Sequence, residues 1–324
     1  MLSYLFKRFL MMFPIMLGIT LITFAVIHLA PGEPVDKMAD LNPKISPQAK
    51  QKMREMYNLD KPLEVQYWLW LKRFARLDFG SSFSSDNRPV LGKILERLPI
   101  TLFINVVSLL IIFLLSIPLG VMSATRQHSL FDKFSTLFVF VGFSTPGFWL
   151  SLLLMILFGV QLGWLPISGI RSIYFEELSA WGKFLDYSRH LVLPVLISSL
   201  TSLAFLSRIT RQNMLEVIRQ DYITTARAKG CDEHTVVFHH ALRNALLPIV
   251  TIIGLSVPSL IGGSVIFETV FSIPGMGMLF YESVMSRDYP LVMGILIIGA
   301  GLTLIGNLLS DVGYALADPR IRYE

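Results

Sequence analysis

The chain has one cysteine, Cys231, in 324 residues, so no internal disulfide framework can hold it. Charge is scarce as well. Only 16% of the residues are Asp, Glu, Lys or Arg and 53% are hydrophobic, a balance that argues against an ordinary pair of soluble domains and for a protein embedded in lipid. The formal charge of +5 is not gathered into a block that would suit nucleic acid. Its basic residues fall between apolar runs, where they orient a chain in the membrane. A phosphate-cradling loop is also missing: Gly92-Lys93 runs on to Ile94 and Gly182-Lys183 to Phe184, where Ser or Thr would be needed. Any ATP that drives this protein must therefore be bound by another subunit. No lipidation motif stands at either end, and the polar residues near the apolar runs are scattered Ser, Thr and Asn, with no cluster able to support catalysis.

What is present is a series of six apolar runs, Phe9–Ala30, Ile100–Ala124, Phe134–Val160, Leu191–Ile209, Ala245–Phe267 and Tyr289–Ser310. Each is near the length of about 20 residues that crosses a bilayer core. The first is longer than the apolar core of a signal peptide, about 7 to 15 residues, and reads as a retained span. In the short loops, Lys7, Arg8, Arg126, Lys133, Arg208, Arg211, Arg219, Arg227, Lys229, Arg243, Arg320 and Arg322 fall on one side, and Arg171, Lys183, Arg189 and Arg287 on the other. The basic excess puts both termini in the cytoplasm. No Asp, Glu or Lys lies inside the runs, and Glu268 and Asp311 stand only at their ends, with His28 near the outer end of the first. A stand-alone ion-coupled carrier would be restricted to sodium sites made of carbonyls and hydroxyls.

Between the first two runs, Ser46-Pro47 marks a helix start, with Met53, Met56 and Tyr57 on one side. Tyr67, Trp68 and Trp70, followed by Lys72 and Arg73, suit either a helix at the headgroup level or a small lid with its own core. Val90, Leu91, Ile94, Leu95 and Leu98 have helical spacing and lead straight into the second span. Pro274, Gly275 and Gly277 predict a tight turn after the fifth span, a candidate outer gate. Ser256, Ser259, Gly262, Gly263 and Ser264 are either a lining of a translocation path or ordinary small-residue packing between helices.

The inner loop from Thr210 to Asn244 has the pattern helix, break, helix. Asp221 is placed to cap a first short helix, Gly230 to supply its left-handed stop and Asp232 to cap the next. Ala226, Ala228 and Gly230 are small enough for close approach to a partner surface, and Arg219, Arg227 and Lys229 can pair with acidic groups or lipid phosphate. His234, His239 and His240 offer at best two metal ligands with no suitable third, so no metal site is expected.

This loop resembles that of the permease subunits of ABC importers, in particular the dipeptide, oligopeptide and nickel group and its B-type member. The family pattern of Glu-Ala-Ala, three residues, Gly, then nine residues before Ile-x-Leu-Pro aligns with Thr224, Thr225, Ala226, Gly230, His240, Leu242 and Arg243. The Glu and Pro are absent, and TARAKG followed by HALRNALLP is similar to the peptide-subgroup variant. HLAPGEPVD at 28–36, NLDKPLEVQYWLWL at 58–71, DFGSSF at 78–83, LGWLPISG at 162–169, FETVFSIPGMG at 267–277, RDYPLVMG at 287–294 and DPRIRY at 318–323 extend the resemblance over the whole chain.

The resemblance implies an all-α integral membrane protein with six transmembrane helices. Its fold would be a type I ABC importer transmembrane domain with an extended periplasmic segment between helices 1 and 2. Residues 1–95 would be the first helix plus the periplasmic segment, 96–312 the transmembrane domain and 313–324 a cytoplasmic tail. It further implies a non-catalytic, cofactor-free permease of the bacterial inner membrane that moves short peptides, with nickel or another small solute as the alternative cargo. Its partners would be a second homologous permease, two ATP-binding subunits, an external solute-binding protein and membrane lipid, with no nucleic acid. Asp221, Tyr222, Thr225, Ala226, Arg227, Ala228, Lys229, Gly230 and Asp232 would form the ATPase-coupling loop. On that reading Ala226→Glu or Gly230→Leu uncouples ATP hydrolysis from uptake.

Overall fold

The computed structural model describes residues 2–29, 32, 35, 47–84, 86–256 and 259–317. The expected helix start at Ser46, Pro258, Arg320 and Arg322, the DPRIRY motif and most of the APGEPVD stretch lie outside these residues. Among the described residues the chain is all-helical, with one isolated antiparallel bridge between Ser81 and Pro89. In lipid, backbone amides and carbonyls must be satisfied within the segment, and the helix does this for any apolar run.

In chain order the elements are α1 (Leu2–Leu29), α2 (Pro47–Met56), α3 (Leu63–Phe74), α4 (Val90–Thr125), α5 (Leu130–Ser144), α6 (Gly147–Leu154), α7 (Ala180–Ile218) and α8 (Asp221–Ala228). After the short helical stretch Glu233–Ala245 come α9 (Leu247–Ser256), a single turn Ser259–Gly262, α10 (Val265–Val270), α11 (Met276–Ser286) and α12 (Tyr289–Ala317). Four stretches are long and apolar enough to cross a bilayer: Phe6–Leu29, Val90–Thr125, Ala180–Ile218 and Tyr289–Asp311. As expected, the Val90 helix runs unbroken into the second apolar run, through Pro99 and Pro118.

The third and fifth runs are not straight spans. In the third, α5 ends where Thr145 is held extended before Pro146, and the chain turns by 104° into α6, which continues as a π-helical stretch, Met155–Gln161. The bend brings Gly147 against Phe267, where an added Cβ would lie 2.8 Å from the ring. The fifth is divided into α9, the Ser259–Gly262 turn and α10, with Gly263 at φ +62°. Glycine accepts that left-handed backbone without a Cβ penalty.

Arg8 of α1 meets Asp311 of α12 at 3.1 Å, so these helices are antiparallel and share an end, called here the terminal end. At the opposite end His28 lies 5.1 Å from the Tyr289 ring. A core there joins Phe24, Val90, Ile94, Leu279, Leu291 and Ile297, from α1, α4, α11 and α12. The amphipathic α3 packs Tyr67, Trp70 and Phe74 onto this core, and Tyr67 Oη lies 3.0 Å from the buried Thr20 hydroxyl. It has no buried residue of its own, so it is a cover fused to the bundle and not a separately cored lid. Trp68, 63% exposed, faces away.

Candidate functional site

The Thr210–Asn244 segment condenses at the terminal end of α4. Helix α7 outlasts its apolar run and reaches Ile218, and Arg219 and Gln220 then turn the chain into α8. Gln220 occupies the cap position without a side-chain bond, and Asp221 lies inside the first turn. The expectation that Asp221 caps the helix is thereby corrected: its carboxylate acts on the helix dipole and not on an orphan N–H. Ile223 is fully buried and Ala226 half-buried, one turn apart, and they enter one core with Val236, Val237 and Ala241 of the following segment, Val121 and Ala124 of α4 and Met214 of α7. This apolar pair fixes α8 to the bundle. Asp221, Tyr222, Thr225, Arg227, Ala228, Lys229 and Gly230 are all exposed.

Gly230 ends α8 at φ +83°, its N–H reaching Arg227 O at 2.9 Å while Cys231 N–H reaches Ala226 O at 3.2 Å. Asp232 caps the next turn as expected, accepting from Thr235 N at 3.0 Å and from the Thr235 hydroxyl at 2.7 Å. These bonds hold the Asp232 carboxyl below its usual range. Arg227 is paired within the chain, its Nε donating to Glu233 at 2.6 Å, which leaves Lys229 as the exposed cation beside it. Asn244 donates to the Tyr222 hydroxyl at 2.8 Å and ties the two ends of the segment together.

The segment after α8 is one helical turn, Glu233–Thr235, a π-helical stretch, Val236–Ala241, and a final turn, Leu242–Ala245. Its buried positions are Val236, Val237, Ala241 and Ala245. The step of five from Val236 to Ala241 is a π-helical repeat, which a search for a 3.6-residue period misses. His234 lies 4.7 Å from Phe238, and His239 contacts His240.

The serines of the fifth run each bond within their own stretch of chain. Ser256 donates to Ile252 O at 2.7 Å, Ser259 to Ser256 O at 2.7 Å, and Ser264 caps α10 by accepting from Phe267 N at 3.3 Å. Gly262 is exposed and Gly263 serves the backbone break.

Two buried polar clusters were not singled out in the sequence. Glu268, 5% exposed, accepts from the Thr101 hydroxyl at 3.0 Å and from Met278 N at 2.9 Å, and Thr101 accepts from Met276 N at 2.9 Å. These bonds fasten the expected Pro274–Gly277 turn to α4. At the terminal end, Asp132 takes a forked pair of bonds from Arg211, at 2.8 and 2.9 Å, and a bond from the Ser123 hydroxyl, joining α5, α7 and α4. Asp132 and Arg211 lie 79 positions apart, and no local pattern marks them as partners. Gly169 N donates to Phe271 O at 2.8 Å, bringing two of the resemblance-bearing motifs together.

A bundle of apolar helices long enough to cross a bilayer, with polar clusters at their ends and a compact amphipathic helix at one of them, is the architecture of a multi-pass membrane protein. The family described as binding-protein-dependent transport system inner membrane component matches residues 116–323, and its N-terminal companion matches residues 1–105. The chain belongs to this family. It is 45% identical over 323 residues to the oligopeptide transport system permease protein AppB of Bacillus subtilis, with 100% of both chains covered. It is 36% identical to the dipeptide transport system permease protein DppB of Alkalihalophilus pseudofirmus and 38% identical to the di/tripeptide transport system permease protein DppB of Pseudomonas aeruginosa, again with 100% of each chain covered. It is therefore the non-catalytic, membrane-embedded permease subunit of an inner-membrane ABC importer, a system in which partner proteins hydrolyse ATP and bind solute.

Proposed function

We propose that this chain imports short peptides and is driven through α8 by ATPase subunits at the terminal end. Support for the cargo comes from full-length relatives named for oligopeptides, dipeptides and tripeptides. Support for the coupling comes from one observation: Ile223 and Ala226 set α8 into a core shared with Val236–Ala241 and the ends of α4 and α7, and leave Thr225, Ala228, Lys229 and Gly230 facing outward. A surface held so firmly moves as a rigid body when its partner moves. ATP closing a pair of nucleotide-binding subunits would displace α8, and the differential affinity of ATP for the closed pair sets the direction of the shift.

In this reading the chain forms six passes, counting the bent α5–α6 pair and the broken α9–α10 stretch, with both termini cytoplasmic and the segment between the first two passes periplasmic. Residues 1–95 carry the first helix and the outer segment, 96–312 the transport bundle and 313–324 the tail. A second homologous permease completes the conduit, two ATPase subunits dock inside and a solute-binding protein docks outside.

The decisive variant is Ala228→Glu, on the outward face. Ala226 is half-buried against the bundle, so Ala226→Glu tests folding as much as docking. In the reconstituted importer, Ala228→Glu is expected to abolish peptide uptake while the chain still inserts and assembles with its permease partner. Coupled uptake at the normal rate in Ala228→Glu removes the coupling assignment.

A further inference from the structure

The exposed faces of the long helices differ in chemistry. Helix α1 presents Phe9, Phe13, Leu17 and Leu21, and α4 presents Phe103, Leu110 and Leu114, as lipid demands. On α7, Thr201, Ser202, Phe205, Arg208, Gln212 and Glu216 are exposed, and their spacing puts them in one stripe. A single aromatic ring interrupts hydroxyl, amide and charge. Hydroxyls on the buried face are satisfied by the helix, as Ser199 donates to Val195 O and Thr210 to Leu206 O. Among the described residues, Thr201, Ser202, Arg208, Gln212 and Glu216 have no side-chain hydrogen bond, so this stripe needs water, polar cargo or polar groups of a neighbouring subunit beside it.

Two clefts adjoin it. One, of about 690 Å³, lies between α7 and the Ser135, Thr136 and Phe140 side of α5, and the other, of about 670 Å³, follows α7 from Arg208 to Arg219 and Gln220, at the entry to α8. Arg208 lines both. Its neighbour Arg211 is neutralised by Asp132, whereas Arg208 has no carboxylate partner among the described residues. Glu216 follows eight residues on, a rise of about 12 Å, which matches the roughly 10–14 Å of an extended tri- or tetrapeptide.

We propose that the exposed stripe of α7 is this chain's wall of the aqueous conduit, and that Arg208 is the residue on it that receives the carboxylate of a passing peptide. The role of Arg208 rests on the peptide reading above; the wall does not.

The test uses the assembled importer in inside-out vesicles, with Cys231→Ser removing the native thiol. Ser202→Cys and Gln212→Cys are expected to react with a charged, membrane-impermeant methanethiosulfonate, and the lipid-facing Leu114→Cys is not. Arg208→Gln should lower trialanine uptake about tenfold, the loss of one charge-assisted hydrogen bond, while Arg208→Lys retains most of it. Ser202→Cys and Gln212→Cys as inert as Leu114→Cys would overturn the wall. Arg208→Gln with normal uptake, or one that no longer assembles with the second permease, would overturn the role of Arg208, the latter by making it a contact between permeases. Reactive cysteines in vesicles that take up no peptide would overturn the role of Arg208 together with the peptide reading, and would still support the wall.

Discussion

Ile223 fixes α8 through one fully buried side chain. Ile223→Ala removes most of that contact and leaves a cavity, a loss of about 2–5 kcal/mol for a residue so enclosed. Its expected signature is proteolytic cleavage around residues 221–232 in a chain that remains inserted. Asp86 shows how a single ion pair responds to pH. Its carboxylate meets Lys93 Nζ at 2.8 Å and accepts from the Ser84 hydroxyl at 2.6 Å. The Lys93 bond, helped by Ser84, lowers the carboxyl from 3.8 to about 2. A depressed carboxyl contributes stability that is complete above its unfolded value and lost as pH falls through the folded one. The Ser82–Arg88 loop should therefore resist pepsin at pH 4 and become cleavable toward pH 2. Cleavage already complete at pH 4 would contradict the pairing.

At the scale of elements, Gly230 and Asp232 were legible because a left-handed stop and a cap are written in one or two residues, and both are found as read. Gly230→Ala keeps the loop composition but strains a backbone at φ +83°, a cost of about 1–2 kcal/mol. It should lower the thermal stability of the segment even though no neighbour lies within 4 Å of the added methyl. The hydropathy of the third and fifth runs was equally legible, but their bends were not. Thr145-Pro146 and Gly263 are short interruptions that hydropathy averages away, and they become decisive only when Gly147 packs on Phe267. Docking on α8 was assigned to all the small residues alike, yet Ala226 turns inward and Ala228 outward, a distinction set by where Ile223 packs. The polar stripe of α7 is visible in the sequence only once the buried face of that helix is known.

For the whole molecule, the Asp132–Arg211 pair joins three helices at the terminal end. Asp132→Asn leaves Arg211 without its carboxylate and is expected to cost roughly 1–3 kcal/mol, read as a lower unfolding temperature of the purified chain in detergent. An unchanged transition would mean that the pair is decorative. Helix α4 joins the two ends more directly. It is 36 residues long, about 54 Å, with Val121 and Ala124 against α8 at one extremity and Thr101 holding the Met276 turn toward the other. A continuous strut of that length carries messages both ways. If nucleotide closure reaches the far surface through it, linkage requires that arrival of a loaded binding protein there alter ATP affinity by the same factor.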